Sequence, residues 1–431
     1  MEGALTAALP PALEIRPRGP LDAVLRVPGS RSITNRALVA AALADGPSEL
    51  RGALSSDDTE AMRDCLTALG VTVAAEDDIF RVSGTGGRFT LPKAPLFARA
   101  SGTTARFVTA LATLAPGAVT IDGAPRMRER PIDDLVRALV ALGAPAEALG
   151  PGGCPPVRVA GGGLPGGTAS IDARRSSQYV SAVLLVGPYA ARDVGLRFVD
   201  GVLVSRPYVE LTLDVMRAFG AEAGWTADGG LRVAAGARYA SRCYEIEPDA
   251  SSAAYAFGAA AIAGGRVRVE GVPARSSQAD FAFLGVLERM GCRVERAGGH
   301  ATVSAPVDRL RGIDVDMNAL PDAVLALAVV ALFADGPTII RNVANLRIKE
   351  TDRLAALERE LGKLGARAKA TADGLSIQPG PLRGAAIDTY DDHRMAMAFA
   401  LAGLRVPGVV IRDPACVSKT WPNYFAALER L

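Results

Sequence analysis

Histidine is almost absent from this 431-residue chain: His300 and His393 are the only two, they lie in unrelated contexts, and a histidine-based metal site would need both at once. Cysteine is scarce and scattered. Cys65, Cys154, Cys243, Cys292 and Cys416 include no CxxC pair that could clip a zinc ion, and their odd number and wide spacing suit a reduced interior. Net charge is nearly absent too: 48 Lys+Arg against 46 Asp+Glu leave +2, so no overall field draws the chain to nucleic acid or a membrane surface, and a strong cationic feature has to be a local cluster. The longest apolar stretch, Ala323 to Ala334, falls short of the ~18 residues of a membrane span, and the amino terminus carries Glu2 without a basic region and hydrophobic run. Together these absences predict a cytoplasmic, unprocessed protein without a metal site.

What is present is the composition of a globular protein, 49% hydrophobic and 22% charged. The length exceeds the ~250–300 residues at which one core stops growing, so two or more domains are expected. There is also an internal repeat. Ala/Leu-rich segments open at Arg36, Arg106, Tyr179, Ala253, Ala323 and Arg394, with a spacing of roughly 70 residues, longer than a solenoid repeat, so each unit is a small subdomain. A Gly/Pro turn and a β-branched strand follow each segment. A second, amphipathic helix comes next, as in TEAMRDCLTALG, IDDLVRALVALG and DRLAALERELGKLG, ended by a glycine that caps it before another strand. A helix without a polar face belongs in a core, whereas the charged second helix can face a sheet and solvent. Six such units divide most simply into two α/β (α+β) domains of three, with the apolar helices packed together, strands outside them, and a boundary near Arg242 to Pro248. The residues before Pro28 are too few for a unit and are expected to add strands to the domain that the chain re-enters later.

Chemistry is suggested by the entrances to the apolar helices: Ser30-Arg31-Ser32, Ser101-Gly102-Thr103, Ser176-Ser177-Gln178, Asp249-Ala250-Ser251, Pro321-Asp322 and Asp391-Asp392-His393-Arg394. Each is a capping-type residue, and each alone reads as an ordinary N-cap. Several carry an adjacent cation, and helix starts with exposed N–H groups suit phosphate and carboxylate. The second loop of each unit holds further polar groups at matching positions: Arg126 to Arg130, Ser205-Arg206, Asn345 to Arg353 and Lys419. The second SerSerGln, at 276 to 278, reads as structural, and the glycines at 161 to 163 form a turn, since no GxxxxGK[ST] follows.

In order, PGSRSITNRAL, SGTTAR, RMRERPI, SSQYVSA, VSRPY, EPDASSAAY, PDAVLALA, NLRIKETDRL, DDHRMAMA and CVSKTWPNYF resemble the 5-enolpyruvylshikimate-3-phosphate synthase family over nearly the whole chain. The combination of KETDR, DHRMAMA and SSQ carries most of the specificity. The resemblance implies transfer of the enolpyruvyl group of phosphoenolpyruvate to the 5-hydroxyl of shikimate 3-phosphate, with release of phosphate and without metal or organic cofactor. It implies a monomeric enzyme built as a two-domain inside-out α/β barrel, each domain three βαβαββ repeats. Residues 30–246 would be inserted into a discontinuous domain of 1–29 and 247–431, with the active site in the cleft between them.

By the same resemblance, Arg31, Ser32, Arg36, Ser176, Ser177, Gln178, Ser205, Asp322, Asn345 and Lys349 contact shikimate 3-phosphate. Arg31, Gly102, Arg130, Gln178, Arg353, Arg394 and Lys419 contact phosphoenolpyruvate. Asp322 is the proton acceptor and Glu350 the proton donor, with Arg31 also in a catalytic role; Tyr208 is a candidate wall of the shikimate pocket. Such a cation set suits the chemistry, because two phosphates and a carboxylate need fixed donors where no metal neutralises them. Two positions depart from the family pattern: Arg31 stands where lysine is usual in PGSKS, and Ala100 where an asparagine often precedes the turn. The related transferase acting on a UDP-sugar is a second enzyme reading, disfavoured by the lack of a cysteine near Arg126 to Arg130. A non-catalytic anion-binding protein on the same fold is a third, disfavoured by the presence of both Asp322 and Glu350.

Overall fold

The structure, a computed structural model, describes residues 9–431. Two compact units divide the chain: one runs from Gly29 to Glu247, and the other joins the residues up to Pro28 with Pro248–Leu431. The fold is mixed α/β with six small sheets, each combining parallel and antiparallel pairing. No helix among the described residues is long and apolar enough to cross a membrane.

In the contiguous unit the apolar helices are Arg31–Leu43, Gly102–Leu111 and Ser177–Val186. Their sequences leave no polar side to turn outward, and from Ile33 to Leu43 every residue is buried. A recurring pattern surrounds each helix. Strand Leu96–Phe97 lies parallel to Val119–Asp122, which pairs antiparallel with Cys154–Val159, itself flanked by Ala146–Gly150. Gly167–Ala173, Val194–Leu203, Leu231–Val233 and Ala223–Trp225 repeat that order. The first sheet departs in one respect: its parallel edge strand is Cys243–Glu245, from the far end of the unit, beside Asp45–Arg51.

The discontinuous unit buries Ala250–Ala263, Val324–Val330 and His393–Gly403. Here Leu21–Leu25 is the parallel edge strand beside Gly265–Glu270, and Asp314–Asp316 plays the same part beside Thr338–Arg341. The sixth sheet has three strands. Ala386–Ile387 lies parallel to Val410–Arg412, and Ala12–Glu14 closes its other side antiparallel. Each unit has its own apolar core, and burial of each large aliphatic side chain there contributes about 1.5–3 kcal/mol.

The second helices end as their glycines require. Gly70, Gly143, Gly220, Gly291 and Gly365 all adopt positive φ, between +90° and +104°, where a β-carbon would be strained. Five of the six expected N-caps form: Ser30, Ser101, Ser176, Asp249 and Asp392 each accept a hydrogen bond from a backbone N–H of the first turn. Asp322 is the exception. It sits inside a short turn, Pro321–Ala323, one residue before the helix N-cap position that Ala323 holds.

Candidate active site

From that turn the Asp322 carboxylate faces two guanidinium groups. Arg394 Nη2 donates to its Oδ2 at 2.7 Å, and Arg353 Nη1 approaches Oδ1 at 3.4 Å. Arg353 is the hub of this cluster. Its Nε donates to Asp392 Oδ2 at 2.8 Å and its Nη2 to Glu350 Oε2 at 2.9 Å, although the side chain is only 1% exposed. Burial works against a charge there, but Asp392, Glu350 and Asp322 outweigh it and hold the guanidinium above its usual range. Lys419 Nζ lies 3.9 Å from Glu350 Oε1 on the opposite side.

Local structure explains why these groups meet. Asp322 precedes one buried helix and Asp392 caps another, accepting from Arg394 N at 2.9 Å. Glu350 follows the turn Ala344–Ile348 and leads into helix Arg353–Lys363, while Lys419 ends the turn Pro414–Lys419. Asp322, Glu350, Arg353, Arg394 and Lys419 are thus brought into one contact network. Asn345, buried, and Lys349, half-buried, lie on the segment that delivers Glu350. Sequence names Asp392 only at a helix entrance and does not name Tyr255. Asp392 reads as a cap, which it is, and nothing in a cap's position announces a second hydrogen bond to an arginine 39 residues away. Tyr255, inside an apolar helix, places its hydroxyl 3.4 Å from Arg394 Nη1.

In the contiguous unit, Arg31 pairs with Asp58 at 3.1 Å beside Ser32 at the start of its helix. Arg36, one turn later, is a strut. It is 2% exposed and donates to Thr212 Oγ1, Ser181 Oγ and the carbonyls of Ser32 and Tyr208. Burial lowers its pKa to about 10; Tyr208 acts in the opposite sense and Arg31 adds to the lowering. The Tyr208 carbonyl accepts one of the Arg36 hydrogen bonds. Ser176 caps the helix at Gln178 N, Ser177 is buried behind it, and the Gln178 amide donates to Thr103 Oγ1 at 3.1 Å, joining SSQ to SGTT. Ser205 is buried at a positive φ of 51° in the turn before helix Pro207–Ala218.

Gly102 is a position where a β-carbon would crowd two guanidinium groups. A β-carbon there would lie 2.8 Å and 2.9 Å from the terminal nitrogens of Arg130 and 3.0 Å from Arg106 Nη1. Arg106, read from sequence only as the start of an apolar repeat, binds the carbonyls of Gly102 and Pro131 and so fixes the helix start to the loop that carries Arg130. On the assignment of Arg130 to phosphoenolpyruvate that the sequence resemblance implies, Gly102→Ala, by displacing that guanidinium, is expected to raise KM for phosphoenolpyruvate about tenfold or more while KM for shikimate 3-phosphate changes little. Steady-state kinetics with each substrate varied in turn checks this; equal changes in the two KM values would count against it.

The chain is similar to known proteins over nearly its whole length. Residues 15–428 match the EPSP synthase (3-phosphoshikimate 1-carboxyvinyltransferase) family. The chain is 46% identical over 414 residues to 3-phosphoshikimate 1-carboxyvinyltransferase of Trichormus variabilis, covering 96% of this chain and 97% of that one. It is 44% identical over 452 residues to the chloroplastic enzyme of Arabidopsis thaliana, covering 100% of this chain and 86% of that one. Among solved structures, EPSP synthase from Acinetobacter baumannii superposes with a TM-score of 0.81 at 26% identity, covering 97% of this chain and 98% of that one. On the strength of a match that takes in both units, the chain belongs to the EPSP synthase family.

Proposed function

We propose that Asp322 and Glu350 are the proton-transferring pair of the chain's 3-phosphoshikimate 1-carboxyvinyltransferase activity. The hydrogen-bonded cluster of Arg353 with Asp322 and Glu350, flanked by Arg394 and Lys419, is the observation that carries this assignment. Addition to an enol ether needs a proton delivered to the methylene carbon and another removed from the attacking hydroxyl. Asp322 accepts the proton of the 5-hydroxyl of shikimate 3-phosphate as its oxygen bonds to carbon 2 of phosphoenolpyruvate, and Glu350 supplies the proton to carbon 3. The tetrahedral adduct then returns a proton from carbon 3 to Glu350 as the carbon–oxygen bond to phosphate breaks and the proton held by Asp322 passes to the departing phosphate, leaving the enolpyruvyl ether and phosphate. Phosphoenolpyruvate arriving beside Arg353 and Lys419 draws on the same cations that face Glu350, which favours a protonated Glu350 when it is needed.

Shikimate 3-phosphate is assigned to Arg31, Ser32, Arg36, Ser176, Ser177, Gln178, Ser205, Asn345 and Lys349, and phosphoenolpyruvate to Arg31, Gly102, Arg130, Gln178, Arg353, Arg394 and Lys419. Arg36 serves the first by holding its helix start in place, since its donors reach Ser32, Ser181, Thr212 and Tyr208. Each unit is taken as an inside-out α/β barrel, supported by buried helices against strands whose faces alternate in exposure. A monomeric, cytoplasmic enzyme belongs to the same proposal, and the five free cysteines support the location.

Phosphate release that requires both substrates is the expected result in a direct assay; release with one alone, or none with both, would refute the proposal. In that assay Arg31→Ala is expected to lose about 10- to 100-fold in kcat/KM, the worth of a charged hydrogen bond, while Arg31→Lys keeps most of it. Normal kcat/KM in Arg31→Ala would remove Arg31 from the site.

A further inference from the structure

One buried carboxyl near this cluster has no part in the proton transfers. Asp280 lies on the turn Ala279–Ala282, the place in its repeat that corresponds to the turns before Arg130 and Glu350 and to the turn that ends at Lys419. The neighbouring Gln278 does structural work there, accepting from Ala250 N at 3.1 Å and donating to the Pro248 carbonyl at 2.9 Å. Asp280, only 4% exposed, accepts a hydrogen bond from Ser251 Oγ. Ser251 and Tyr255 stand one turn apart on the same buried helix, hence on one face, and Tyr255 reaches Arg394, which holds Asp322.

We propose that Asp280 is a positioning residue for phosphoenolpyruvate binding: acting through Arg394, its carboxyl competes with the incoming anion when charged and leaves Arg394 to that anion when neutral. The proposal rests on the assignment of Arg394 to phosphoenolpyruvate. The groups that face Asp280 are Ser251 and Asp249 at the start of one buried helix, Asp322 at the start of the second and Arg394 at the start of the third. Burial, then the negative charge of Asp322, pushes the Asp280 carboxyl up to about 7, against the pull of Ser251 and Arg394 and with a further push from Asp249. Its charge therefore changes near neutral pH. As pH rises through neutrality, a negative charge appears beside a cation that the substrate needs.

Asp280→Asn keeps the shape and the acceptor for Ser251 but carries no charge at any pH. Its KM for phosphoenolpyruvate is expected to match wild type within about twofold at pH 6 and to fall on the order of tenfold below wild type at pH 8, as one charge removed from a poorly solvated site requires. The effect on kcat should be much smaller. Taking the ratio of variant to wild type at each pH cancels the titration of the substrate's own phosphate. Ser251→Ala removes a hydrogen bond that favours the charged form, so it should move the rise in KM to higher pH; it supplies the answer if Asp280→Asn does not fold. A ratio that stays constant from pH 6 to 8, or a KM raised by Asp280→Asn, overturns the inference. Arg394→Lys separates the two levels of failure. If it leaves KM for phosphoenolpyruvate unchanged at pH 6, the assignment of Arg394 is wrong and this inference falls with it. If it raises KM while the Asp280→Asn ratio is flat, only the role of Asp280 is wrong.

Discussion

Arg353→Met is expected to cost about 3–5 kcal/mol of stability, the range for breaking a buried ion pair by removing one partner. The size follows from what is left behind. The guanidinium bridges Asp392, Glu350 and Asp322, and Asp392 is wholly buried. Without Arg353, that carboxylate keeps the N–H of its helix but loses its counter-charge in a place where water cannot replace it. Denaturant unfolding should show a lower midpoint, and because the cluster is buried, the loss should change little between low and moderate salt. Arg353→Lys should recover only part, since one ammonium cannot meet three carboxylates with the geometry of a planar fork. A loss below about 1 kcal/mol for the methionine variant would mean that the cluster is not the strained, interdependent unit that its distances suggest.

Asp322→Asn and Glu350→Gln are each expected to lower kcat by about two decades or more, the range for a positioned acid or base, with binding of shikimate 3-phosphate still measurable. Both are nearly isosteric, so a large fall in kcat reports lost proton transfer rather than lost shape. With the two groups acting on one addition step, as proposed above, the double variant should be little worse than the poorer single one. Rapid-quench measurement of a single turnover separates chemistry from product release. Full turnover in either single variant would remove that residue from its role.

Sequence made the repeat legible because it is written in composition. Segments such as VLALAVVALFA have no polar side, and the six of them became the six buried helices. The glycines after the second helices were equally legible, since their left-handed conformation is a property of one residue. The edge strands were not. Cys243–Glu245 and Leu21–Leu25 are short, and their partners are distant in sequence, so no local pattern says which sheet each joins. In the site, motif order named Asp322, Glu350, Arg353, Arg394 and Lys419, but the hydrogen bonds that tie them together needed coordinates. Arg36 shows the limit most clearly: its charge and its place in PGSRSITNRAL suggest a ligand contact, while its burial turns its donors to Thr212, Ser181, Ser32 and Tyr208. Asp322 shows the reverse case, a residue placed like a cap whose carboxylate points elsewhere.

The pairing of edge strands with partners distant in the chain also sets a timetable for synthesis. Everything that the unit Gly29–Glu247 needs, including its late strand Cys243–Glu245, has left the ribosome when little more than half of the chain has been made. The other unit receives its first strands at the outset and must keep them uncommitted. Leu21–Leu25 waits for Gly265–Val269, and Ala12–Glu14 cannot pair until Val410–Arg412 emerges, some 400 positions later. Loop closure over such a span grows only logarithmically with length, so its thermodynamic cost is modest. Its consequence is temporal: an unpaired strand, with its edge exposed, has to be shielded from other nascent chains while the inserted unit folds first.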